Sequence, residues 1–200
     1  MHQSGRRFRT HFATWFAVSL AAVTPALAQS SVPATLRVPG VVNFGQIGPS
    51  YFRGGEPGGE GILALAKLGI KTVIDLQMDV DSQESGLVGK AGMQYVRIPM
   101  TTHTPPTASQ QARFLSLVSD PAHQPVYVHC KEGRHRTGVM TALYRMTRDG
   151  WTADQAFKEM KQYDFGWDLL HSEFKRFVYA YVAPVEGGSS PGSVGARAAN

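Results

Sequence analysis

The 200-residue chain has a single cysteine, Cys130. An internal disulfide is therefore excluded, and the lone thiol is either an apolar filler or a reactive group. No segment offers the ~20 consecutive apolar residues that a membrane-spanning helix requires. The longest apolar run, Phe12 to about Val23, is interrupted by Thr14 and Ser19. No acidic residue occurs among the first 28, and no internal repeat is found along the chain.

What stands at the N-terminus fits a leader. Arg6, Arg7 and Arg9 precede the apolar run, and Ala26-Leu27-Ala28 follows it. Charge, apolar stretch and A-x-A in that order predict a secretory signal peptide over 1–28, cleaved before Gln29. Its loss removes three basic residues and lowers the formal charge from +5 to +2. That small balance gives no ground for a nucleic-acid partner. The expected location is periplasmic or secreted, with no stable membrane anchor after cleavage.

An irregular lead-in is expected over 29–42, one domain over 43–182, and a disordered Gly/Ser/Ala-rich tail over 183–200. Short β-branched runs at 72–76, 95–98 and 126–128 predict strands. Helical patterns are expected at 60–68, 107–118, 137–148, 152–162 and 168–182. In the last, Leu170, Phe174, Phe177, Val178 and Tyr181 share one face. Thr152 with Gln155 predicts a capping box. Alternation of strands and helices predicts an α/β fold, a single domain whose central, mainly parallel β-sheet is flanked by helices.

The segment His129-Cys130-Lys131-Glu132-Gly133-Arg134-His135-Arg136-Thr137-Gly138 follows an apolar strand and opens a helix. A loop there is suited to an anion, because unpaired N–H groups and the helix dipole both offer positive charge. Gly133 allows the curl that brings successive amides from Lys131, Glu132, Gly133, Arg134, His135 and Arg136 onto one phosphate. The Arg136 guanidinium can grip two phosphate oxygens. A thiol in such a field favours its nucleophilic thiolate form, and attack on phosphorus would give a phosphocysteine. The Thr137 hydroxyl can assist departure of the sulfur, and His129 can orient the loop through its ring N–H groups. The spacing of His129 and His135 suits an anion cradle better than a cation, so no metal is expected.

These residues match H-C-x-x-G-x-x-R-T-G, and the chain resembles the cysteine-based protein tyrosine and dual-specificity phosphatases. The likeness extends through Asn43–Pro57 and Tyr95–Pro99, and it is similar in plan to periplasmic tyrosine phosphatases of Gram-negative bacteria. A rhodanese-like sulfurtransferase also cradles an anion beside a cysteine, but Arg136-Thr137-Gly138 and the long helix after it favour the phosphatase. The resemblance implies hydrolysis of phosphotyrosine, and possible action on phosphoserine or phosphothreonine, in protein substrates without a cofactor. Phosphorylated inositols or lipids are the alternative substrates, since Lys131, Arg134, His135 and Arg136 make the loop basic. A phosphate-binding module that has lost catalysis is the third reading.

One departure matters. The family's general-acid aspartate is missing from Met100–Thr107, where alignment on Pro99 puts His103 at the acid position. A protonated imidazole can serve; otherwise the acid comes from Asp79, Asp81, Asp164 or Asp168. Tyr51, Phe52 or Phe165 could wall a phosphotyrosine pocket.

Overall fold

The computed structural model describes residues 37–79, 82–167 and 169–184. The expected signal peptide, most of the lead-in and tail, Asp81 and Asp168 lie outside the described residues.

A hairpin of β1 (Gly45–Gly48) and β2 (Tyr51–Gly55) opens the fold, followed by α1 (Gly59–Lys67). Next come β3 (Thr72–Asp75), α2 (Ser82–Lys90), β4 (Gln94–Arg97) and α3 (Ala108–Ser119). β5 (Val126–Cys130) leads into α4 (His135–Arg148), α5 (Ala153–Gln162) and α6 (Ser172–Ala180). The five strands lie in the order β1-β2-β5-β3-β4. Only β1 with β2 is antiparallel; β2–β5, β5–β3 and β3–β4 are parallel. The expected α/β plan with a mainly parallel sheet is therefore present, and the 43–57 segment resolves into two strands.

Strands β2, β3 and β5 are buried at every position, as strands covered on both faces must be. Alternation sends their side chains into two cores. Val126, Val128 and Cys130 join Ile74, Tyr51, Phe114, Val139 and Phe174 on the α3–α6 face. Tyr127, Val73 and Phe52 join Ile62, Leu65 and Val88 on the α1–α2 face. Val38 packs in this second core as well, so burial begins within the lead-in.

Helix α2 is absent from the sequence expectation. Its nine residues, Ser-Gln-Glu-Ser-Gly-Leu-Val-Gly-Lys, contain two glycines, each costing about 1 kcal/mol in a helix interior. Tertiary contacts hold it, including burial of Val88 and Glu84. The Thr152–Gln155 capping box forms as expected, and Thr107 with Gln110 forms a second. In α6, Phe174 and Val178 are buried, but Leu170 is exposed and precedes the helix, contrary to the expected stripe.

Helix α4 carries the loop's C-terminal end and is pinned from its far end. Arg145 donates to Glu159 through Nε at 3.1 Å and Nη2 at 2.7 Å, and to Asp149 through Nη1 at 2.7 Å. Its guanidinium also stacks over Trp151 at 4.2 Å. Removing one partner of a buried ion pair strands the other charge, which costs about 3–5 kcal/mol. Glu159→Ala leaves Asp149 on the guanidinium, so the loss expected in urea denaturation is the smaller one of charged hydrogen bonds, about 1.5–3 kcal/mol. A loss near zero would mean that α4 is not anchored by this pair.

Candidate active site

Cys130 ends β5 at the carboxyl edge of the sheet, opposite Gly55 of β2, and is buried on the α4 face. The loop that follows lies directly on the β2 backbone. Gly133 has φ +67°, and a Cβ there would sit 2.3 Å from the Gly54 carbonyl carbon and 2.6 Å from the Gly55 nitrogen. Both the backbone sign and the space demand glycine.

The loop's carbonyls are tied down on that same side. Lys131 O accepts from Glu56 N at 3.1 Å. The Asn43 side-chain amide donates to Glu132 O at 3.4 Å and Gly133 O at 3.0 Å. Arg53 Nη2 also donates to Gly133 O. A trans peptide is planar, with its N–H directed opposite to its C=O. Holding these three carbonyls against β2 therefore turns the amides of Glu132, Gly133 and Arg134 the other way, into one concavity. Arg134 O accepts from Gly138 N at 2.9 Å and starts α4.

Arg53 and Asn43 were not singled out by the sequence. Arg53 is fully buried, faces the Tyr163 ring at 4.0 Å, and its Nε and Nη1 find no hydrogen-bond partner. Burial lowers its pKa, partly offset by Tyr51, Tyr163, Glu159 and Cys130. It is a cation set beneath the loop. Asn43 itself has φ 53°, a left-handed conformation that asparagine tolerates.

Arg136 lies in the first turn of α4, nearly buried, and donates through Nη1 to Met100 O at 3.3 Å. This bond joins the cysteine loop to the segment where the acid is expected. A cavity of ≈ 700 Å³ opens here, walled by Lys131 and Arg136, by Met100, Thr101 and Thr102, and by Glu56, Gln77, Met78 and Asp79.

The other expected residues fall as follows. Lys131 pairs with Glu56 at 2.5 Å, and exposed Arg134 pairs with Asp164 at 2.8 Å. The Glu132 side chain is exposed. His135 contacts Phe165 O through Nε2 at 2.9 Å, and burial together with His171 lowers its pKa, which favours the neutral ring. The loop is thus less cationic than its sequence suggests. The Thr137 hydroxyl is buried without a hydrogen-bond partner, so no bond to sulfur is made in this conformation. His129 points to the opposite face of the sheet, its Nε2 3.0 Å from Glu84 of α2. It therefore steadies the strand end from α2 rather than bonding the loop carbonyls.

His103 is exposed and stacks on His171, with centroids 5.4 Å apart; its Nδ1 is 3.7 Å from Glu173. Among the other acid candidates, Asp79 lines the cavity, whereas Asp164 is engaged with Arg134. Tyr51, Phe52 and Phe165 are buried to 1, 6 and 0% exposure and belong to the cores. They do not form an aromatic wall.

A buried cysteine at a strand end, an amide-lined loop and an arginine in the next helix define a cysteine-based phosphatase fold. Residues 45–176 match the family model described as DSP-PTPase phosphatase fused to NAD+ kinase, and the chain belongs to this DSP-PTPase phosphatase family. It is 29% identical over 143 residues to the dual specificity protein phosphatase TpbA of Pseudomonas aeruginosa, covering 72% of this chain. The matched stretch spans 61% of that relative's length. The crystal structure of TpbA aligns with TM-score 0.62 at 26% identity, over 70% of this chain and 86% of that one. An inositol diphosphatase of Saccharomyces cerevisiae is 25% identical over 129 residues, 62% of this chain and 46% of its own.

Gly133→Ala tests the seat of the loop. It should weaken inorganic phosphate binding by at least ~10-fold in calorimetry, the equivalent of one charge-assisted hydrogen bond. Unchanged affinity would show that the loop does not rest on β2 as described.

Proposed function

We propose that the chain hydrolyses phosphotyrosine in proteins through a phosphocysteine. The observation that carries this reading is the loop whose carbonyls are tied down on one side, running from Cys130 at the end of β5 to Arg136, which lines the cavity. In that arrangement the amides and Arg136 take the non-bridging phosphate oxygens, and the Cys130 sulfur attacks phosphorus from below. The tyrosine oxygen leaves with a proton supplied from the Met100–Thr107 segment, where His103 is the donor. Water then attacks the phosphocysteine, and Thr137 assists departure of the thiolate. The hydrogen bond from Arg136 to Met100 O supports action of the two segments as a unit.

Two features support a protein substrate. Trp167, Leu169 and Leu170 are 79, 85 and 70% exposed, on the segment whose Asp164 pairs with Arg134 of the loop. An apolar rim of this kind suits a polypeptide better than a small polyanion. The pairing of Lys131 and Arg134 with acids also removes surplus charge that a polyanion would need. A structure of TpbA in complex with pTyr aligns with TM-score 0.61 at 23% identity, which supports the shared fold. Hydrolysis of inositol pyrophosphates is the second reading, favoured by the likeness to the yeast inositol diphosphatase. We further propose export, on the strength of the leader pattern at 1–28.

A phosphotyrosine peptide, an activated aryl phosphate and an inositol pyrophosphate should be compared by kcat/KM. The peptide is expected to exceed the inositol compound, and Cys130→Ser should abolish turnover of all three while retaining phosphate binding. Tyrosine's oxygen has a pKa of about 10 and needs a proton, so His103→Ala should lower peptide turnover by roughly 10²–10⁴-fold. The activated ester should suffer far less. If His103→Ala is harmless and Asp79→Asn shows that selective loss, Asp79 is the acid. Turnover by Cys130→Ser would overturn the covalent mechanism. For export, N-terminal sequencing of protein from the periplasmic fraction should begin at Gln29; intact Met1 in cytosolic protein would refute it.

A further inference from the structure

The loop bearing His103, the proton donor of the proposed mechanism, meets the start of α6 at His171 and Glu173. His171 is the N-cap of α6, with φ −134° and ψ 44°, and Glu173 lies in its first turn. Residues two apart on a regular helix do not face each other. The non-helical backbone of His171 nevertheless brings its Nδ1 to 3.4 Å from Glu173 Oε1. His103 Nδ1 approaches the same oxygen at 3.7 Å. All three donor atoms lie within 4.8 Å of one another.

These separations have a meaning for metal chemistry. Zinc binds imidazole nitrogen and carboxylate oxygen at about 2.0–2.2 Å, which for a tetrahedron sets ligand atoms roughly 3.3–3.6 Å apart. Two of the three edges are already near that length. His171 Nδ1 and Glu173 Oε1 are buried atoms whose contacts with each other and with His103 are loose ion pairs that fall short of good hydrogen-bond geometry, an arrangement that a shared cation would tighten. The rings are also steadied from outside. His135 packs against His171 with centroids 3.6 Å apart and is itself held by Phe165 O, which limits rotation of the His171 ring.

We propose that His103, His171 and Glu173 form a three-ligand site for a zinc-type divalent cation, with the fourth position open to solvent beside exposed His103. Two imidazoles and one carboxylate suit zinc, whereas calcium and magnesium prefer oxygen donors alone. Occupancy would strap the Met100–Thr107 segment to α6 and occupy one ring nitrogen of His103. No local pattern discloses it, because 68 positions separate His103 from His171. The other cluster of this kind among the described residues, Asp75 with Glu84 and His129, is less suited. There Asp75 already accepts from Gln77 N, Tyr95 and Arg97 in a closed interior.

The test uses the tag-free chain carrying Cys130→Ser, so that the thiolate cannot ligate and the result is independent of phosphatase activity. After chelator treatment, Zn²⁺ is titrated by calorimetry and Co²⁺ by visible absorption. One equivalent of each should bind, Co²⁺ with the intense bands of a four- or five-coordinate site, and Mg²⁺ should not compete. His171→Ala and the near-isosteric Glu173→Gln should each weaken Zn²⁺ binding by at least ~10–100-fold, the loss that even an outer-shell partner can cause. Circular dichroism checks that both variants fold, and Glu173→Gln carries the test if His171→Ala does not. Absence of Zn²⁺ binding, or binding untouched by Glu173→Gln, would overturn the site.

Discussion

The contact on which the rest of this molecule depends is backbone against backbone: Gly133 lying on Gly54 and Gly55. No side chain fits between them, so the loop and strand β2 meet at main-chain distance. The carbonyls of residues 131–133 turn toward β2 and the turn ahead of β1, where Glu56 N, Arg53 and Asn43 donate to them. Amide direction then follows from peptide planarity rather than from any choice of loop side chain. The proposed anion cradle is thus the reverse side of a packing interaction. Lys131, Glu132 and Arg134 can vary in side chain, provided the peptide planes stay as they are.

The sheet's alternation distributes the surrounding roles. Cys130 points into the α4 core and His129 toward α2, because adjacent strand residues face opposite ways. Cys130 and the residue before it are therefore stabilised by different layers. Helix α4 is held at one end by the loop and at the other by Arg145 with Glu159, so the position of Arg136 is determined across the full length of the helix.

Much of this was legible in the sequence, for a local reason. Ten consecutive residues carry the loop, and a strand before them with a helix after them is a short-range pattern. The alternation of β-branched runs with helical periods likewise disclosed the α/β plan. What escaped was long-range. Arg53 and Asn43 reach Gly133 across 80 and 90 positions, and nothing in their neighbourhoods distinguishes them from surface residues. Helix α2 was hidden by Gly86 and Gly89, although its Glu84 braces His129. Phe165 resembled a pocket wall because an aromatic residue in a loop gives no hint of its burial. His103 could be aligned, but the direction of its ring is set by His171, which the alignment does not address.

Arg53 places a cation in the interior with only one of its nitrogens hydrogen-bonded. Desolvation of such a charge costs several kcal/mol, and apolar replacements at buried ionic sites often leave a protein as stable or more so. The residue acts as an electrostatic reserve in the proposed mechanism: the fold tolerates a positive charge that Glu159 and the Tyr163 ring only partly offset, and an anion in the loop above would complete the match. Stability and affinity pull in opposite directions at this position. A Met in its place would relieve the empty fold and, by the same charge, penalise the occupied one.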